Sequence, residues 1–261
     1  MMTWLAVFAA LTLGAGPDRP SSLLRLGGDP ARGVLLNHTA GARPTDPIDP
    51  ARPTVVFVHG FNPAPRAVQF TMAEQLAGRL ARRGDASGFN VLGWNWNAAT
   101  FVSLRGSVNE EAAVAQGWAL AQALRCAGAV PGWTHLIGHS SGCIVVASAA
   151  QALRASTGSA VAHLTLLEPA SIHHQLVFGR LGAGGAASRV ENYWAPGPSG
   201  YGRAAGYAGV WNQRVAGPTP LLGVVWPLRS AHIDLVHWYL RSAEDRASPA
   251  GFNNSLLLVP R

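Results

Sequence analysis

Residues 134–150 read THLIGHSSGCIVVASAA, and the two serines at 140 and 141 stand between glycines at 138 and 142. A short apolar run stops at a glycine, and an Ala- and Val-rich stretch follows at once. That is the pattern of a buried strand turning directly into a helix. The pentapeptide Gly138-His139-Ser140-Ser141-Gly142 fits G-x-S-x-G, which makes Ser140 its centre. In such a turn the central residue is strained and its hydroxyl projects at the top of the sheet, while Cβ atoms two positions away on either side would collide. The helix start that follows favours developing negative charge. Ser141 has a different expected role, supplying its backbone N–H to an oxyanion. The competing reading is a turn with no chemistry.

Outward from this turn the chain alternates. TVVFVHGFN (54–62) and FNVLGWNWN (89–97) read as strands, as do VAHLTLLEPAS (161–171) and RVENYWAP (189–196). Helical periodicity runs through Val68, Met72, Leu76 and Leu80, again over 109–128, and after Gly142. Strands alternating with helices predict an α/β fold with a mainly parallel central sheet and helices on both faces. Residues 17–52, rich in Pro, Gly, Asp and Arg, predict an irregular lead-in with one short edge strand at Val34–Asn37.

A nucleophilic serine needs a base, an orienting acid and a second oxyanion donor. The donor expected is the backbone N–H of Phe61, where a buried strand ends in VHGF; His59 reads as a structural residue that closes this loop. Glu168 ends the apolar run LTLLE before a proline, at the strand edge where open α/β folds place their sites. Glu191 falls inside a strand, and Asp234 is too near His232 in sequence to be its partner. A serine–acid–histidine order leaves His232 and His237 in SAHIDLVHWYL. His232 precedes the apolar helical pattern, in a loop, and is taken as the base; His237 lies within the pattern beside Trp238. Residues 173–230 exceed one strand and helix and mix glycines with Trp211 and Trp226, which predicts a lid-like insertion whose aromatics line the substrate pocket. The bland alternative is a glycine-rich surface loop.

All 20 basic residues are arginine, and the formal charge is +7 with a pI near 10.6. The arginines are scattered and no basic stripe interleaves with stacking aromatics, so nucleic acid is not the expected partner; contact with an anionic lipid surface stays open. Cys126 and Cys143 are too few for a disulfide framework and lack metal spacing. No charge precedes Asp18, and this apolar N-terminus is shorter than the ~20 residues that span a bilayer. It predicts a secretory signal peptide over 1–16, or a retained anchor, and hence export.

VHGFN, VLGWNWN, HLIGHSSGC and LTLLEPAS together resemble the α/β-hydrolase superfamily, and within it the pancreatic-type lipase branch, over residues 53–172 and the final AHIDLVHWYL. Ser141, Cys143 and Glu168 stand where that branch has Leu, Ala and Asp. The resemblance implies one hydrolase domain over 53–261. It also implies cleavage of a small-molecule or lipid ester through a Ser140 acyl-enzyme, with no metal or cofactor. Two other classes remain: an acyltransferase using the same triad, and a non-catalytic binding protein on the same fold.

Overall fold

The computed structural model describes residues 33–60, 72–85, 88–96, 110–170, 175–195, 202–215 and 231–258. The expected signal peptide, Phe61 and Trp226 lie outside them. No helix among the described residues is long and apolar enough to cross a membrane.

The strands are β1 (Val34–Asn37), β2 (Thr54–Val58), β3 (Asn90–Asn95), β4 (Thr134–His139), β5 (Val161–Leu167), β6 (Ala187–Trp194) and β7 (Val210–Arg214). The helices are α1 (Met72–Arg83), α2 (Glu110–Cys126), α3 (Gly142–Thr157), α4 (Gln175–Phe178) and α5 (Ala231–Ser242). The seven strands lie in the order β1-β3-β2-β4-β5-β6-β7. β2 to β7 are parallel, and β1 alone runs antiparallel, against β3. The expected fold class is the one found. β7 was not foreseen: it lies inside the segment expected to form a lid-like insertion and extends the sheet instead.

The two faces follow from the period-2 alternation of strand side chains. Val56, Val58, Leu136, Leu164 and Leu166 pack with α2 and α3. Val55, Phe57, Val91, Ile137, Leu167 and Tyr193 face the other way, against α1 and α5. The β4 and β5 strands are buried on both sides along their whole length, as central parallel strands must be.

The second face also carries a buried polar core. His135 and His163 stack 4.1 Å apart, and both are fully buried. His135 is hydrogen-bonded through Nδ1 to Ser255 Oγ at 2.9 Å and through Nε2 to Thr165 Oγ1 at 2.8 Å. The backbone N–H of Leu256 donates to His163 Nδ1 at 3.3 Å. Glu191 lies 3.2 Å from His163 Nε2, accepts from Tyr193 Oη at 2.9 Å, and pairs with Arg189 at 2.7 Å. Tyr193 Oη accepts in turn from the Gly251 N–H at 2.9 Å. The C-terminal turns Gly251–Asn254 and Leu256–Leu258 are thus clasped to the sheet by polar contacts that satisfy groups otherwise costly to bury.

Candidate active site

β4 ends at His139, and α3 begins three residues later. Ser140 between them has φ 53°, a left-handed conformation that costs a non-glycine residue about 1 kcal/mol or more. The strain is held by bonds on both sides. The Ser140 N–H donates to Leu167 O at 3.0 Å, and its carbonyl accepts from Cys143 at 3.1 Å and Ala170 at 3.2 Å. The flanking glycines have no room for a side chain. A Cβ at Gly142 would lie 2.5 Å from the carbonyl oxygens of Val58 and His59, and one at Gly138 would lie 2.6 Å from Gly142 O. Backbone cannot yield as a flexible side chain can, so Gly142→Ala should lower unfolding stability by about 3 kcal/mol or more. Chemical denaturation measures it, and a loss below ~1 kcal/mol would mean the turn is looser than this packing implies.

Ser141 caps α3 with its main chain only. Its Oγ is buried without a hydrogen-bond partner, and its N–H carries no hydrogen bond among the described residues. That leaves the N–H available as a donor beside Ser140.

Glu168 follows β5 directly and is also left-handed, at φ 47°. Its carboxylate is fully buried. Oε1 accepts the Ala195 N–H at 2.9 Å, and Oε2 accepts from His232 Nδ1 at 2.6 Å. The backbone N–H of Glu168 donates to Tyr193 O at 3.0 Å, so the end of β6 fixes both the main chain and the side chain of the acid. His232 is the second residue of α5, not a loop residue as its position before the apolar pattern suggested. With Nδ1 donating to the carboxylate, Nε2 is the unprotonated nitrogen that can accept a proton.

His59 closes the preceding loop, as expected. Its Nδ1 donates to Gly60 O at 2.7 Å, its carbonyl accepts from Trp96 Nε1 at 2.9 Å, and the two rings stack. Gly60 then runs against the nucleophile: a Cβ there would lie 2.7 Å from Ser140 Cβ. Cys126 and Cys143 are both free. Cys143 donates its thiol to Gly138 O at 3.1 Å, and burial pushes that thiol far up, which keeps it inert.

Trp211 is not brought to this site. It lies on the outermost strand, opposite Glu191, which pairs through Thr165 with the level of Ile137. That is three strands from β4, about 14 Å across the sheet. Its ring is exposed, edge-on to Tyr193 and beneath the Arg189 guanidinium. A polar, half-exposed edge strand gave no alternation from which this placement could be read.

Among the described residues Glu168 touches His232, His139 touches His232 on its other side, and Ser140, which follows His139, is bonded through its N–H to Leu167, the residue before Glu168. A serine at a strained turn after a central strand, an acid after the next strand and a histidine beyond the last one complete the pattern that the sheet order began. The chain has the α/β-hydrolase fold. No protein-family model matches the sequence, and no curated protein does. Solved structures similar to it include a predicted CIB-like hydrolase from Thermoplasma acidophilum, 13% identical over 81% of this chain and 93% of that one, with a TM-score of 0.43. Esterase 2 from Thermogutta terrifontis is 14% identical over 87% and 95%, with a TM-score of 0.44. An α/β serine hydrolase from Xanthomonas campestris, XC6422, described as lacking a lid, is 16% identical over 85% and 98%, with a TM-score of 0.41.

Three buried histidines make the fold acid-sensitive. Burial pushes His59 down to about 4, against the pull of its bond to Gly60. Burial also pushes His135 and His139 well below the ordinary value, helped for His135 by His163 and for His139 by His232. An unfolded chain protonates these rings near pH ~6.5, and the folded chain does not. Stability is therefore complete above that value and falls as pH drops through it toward the folded values. His59 alone should remove about 2 kcal/mol by pH 5. Urea midpoints at pH 7.5 and pH 5 measure this, and equal midpoints would contradict it.

Proposed function

We propose that this protein is a serine carboxylic-ester hydrolase. The 2.6 Å hydrogen bond from His232 to a fully buried Glu168, beside a strained Ser140, is the observation that supports this most. Ser140 Oγ attacks the ester carbonyl carbon and gives its proton to His232 Nε2. The Ser141 N–H, with the backbone N–H of Phe61 as second donor, holds the oxyanion. As the tetrahedral intermediate collapses, the C–O bond to the alcohol breaks and His232 returns the proton to the departing oxygen. Water then gives a proton to His232 and attacks the acyl-enzyme; as the bond to Ser140 Oγ breaks, His232 returns that proton to Ser140 Oγ and the acid is released. Glu168 keeps the imidazole in the productive tautomer and stabilises it when charged. Losing one oxyanion donor typically costs about 3–4 kcal/mol of this stabilisation.

The narrower likeness to pancreatic-type lipases belongs to this reading and is supported by the motifs VHGFN, GHSSG and LLEPA. A series of p-nitrophenyl esters of increasing acyl length, assayed with and without an alcohol acceptor, tests the proposal. Release of p-nitrophenol with free acid as product is the expected result. Transfer to the alcohol in preference to water would make the protein an acyltransferase, and no turnover of any ester would leave a binding protein.

A further inference from the structure

His139 takes no part in the chemistry just described, yet it touches the base. It is the last residue of β4, adjoining the nucleophile, and is almost fully buried. Its Nε2–H donates to the main-chain carbonyl of His232 at 3.1 Å, and the two rings lie 4.4 Å apart. Its Nδ1 is buried with no hydrogen-bond partner, close against Gly60. A bare buried nitrogen is costly, so an apolar ring would suit this position better for stability alone. What an apolar ring lacks is the N–H. That bond ties the main chain of His232, in the first turn of α5, directly to the end of β4.

Resting on the esterase reading, we infer that His139 is a positioning residue, which holds His232 between Glu168 and Ser140 through the N–H it donates to the main-chain carbonyl of His232. Burial and the neighbouring His232 and His59 keep His139 uncharged, so it does not repel the imidazolium formed in the reaction. Glu168 is the charged group that faces the base on its other side.

Two variants separate positioning from packing. His139→Phe keeps a ring face and loses the donor; His139→Gln keeps an N–H donor and loses the ring. His139→Phe should lower kcat on a p-nitrophenyl ester by about tenfold or more, with KM within about twofold, because the base is misplaced and the substrate is not. Its urea midpoint should stay equal or rise. His139→Gln should hold kcat within about threefold of wild type. A kcat for His139→Phe within twofold of wild type overturns the inference, as does a loss that merely follows the unfolded fraction. If His139→Phe does not fold, His139→Gln decides: kcat within threefold supports the inference and a larger loss overturns it. A wild-type chain that neither cleaves esters nor reacts with a fluorophosphonate defeats the esterase reading instead, which is a different result.

Discussion

Ser140→Ala should abolish ester cleavage, while Ser141→Ala should keep most of it. The two residues are adjacent serines, but the turn uses different parts of each. The left-handed conformation at Ser140 turns its side chain off the sheet edge beside Gly60. At Ser141 the proposed mechanism uses only the N–H, and the hydroxyl is buried without a partner. Removing a nucleophile that acts as a unit with its base costs about 10⁴-fold in kcat or more. Removing an unsatisfied buried hydroxyl is neutral or stabilises by about 1 kcal/mol. A fluorophosphonate should form its adduct on Ser140. Mass-spectrometric mapping of that adduct to Ser141, or an active Ser140→Ala protein, would overturn the assignment.

Glu168→Gln should lower kcat by about 10³- to 10⁴-fold with little change in fold. The carboxylate accepts two hydrogen bonds, from Ala195 N–H and from His232 Nδ1. An amide has one oxygen. If that oxygen stays with Ala195, the NH₂ group faces Nδ1 and drives the proton to Nε2, where it blocks acceptance from Ser140. If the amide turns around, its NH₂ faces the Ala195 N–H, and two donors meet in a buried site. Either way the correct tautomer is disfavoured. The measurement is kcat together with the urea midpoint. A Glu168→Gln enzyme within tenfold of wild type would show that another group orients the base.

The elements that position the site were legible because each has a local cause. GHSSG carries its own steric demand for glycine, and LTLLE changes from apolar to acidic where the strand ends. VLLN at 34–37 is short and stands beside turn residues, as an edge strand should. β7 was hidden because VWNQR is a half-exposed edge strand with no clean alternation. The polar core was hidden for another reason. His135 and His163 look like interruptions in apolar strands, and the residues that satisfy them, Ser255 and Leu256, lie 120 and 93 positions away. Nothing near either histidine in sequence announces its partner. The same holds for Ala195, whose main chain grips Glu168, and for His139, whose contact with His232 spans 93 positions. Glu191 sits mid-strand, where its sequence neighbours give no sign of its use; in the fold it meets Arg189, Tyr193 and His163.

The C-terminal clasp bears on how this chain is made. His135 and His163 leave the ribosome long before Ser255 and Leu256, and at about 5–20 residues per second the delay is several seconds or more. During that interval strands β4 and β5 can pair, but the ring nitrogens that will later be clasped have only water or one another. The part of the sheet around His135 and His163 therefore lacks its cover until residues 251–258 have been made. Ribosome-bound chains halted before residue 250 should accordingly remain easy to digest with protease around β4 and β5, and protection there should arrive in one step, when residues 251–258 emerge.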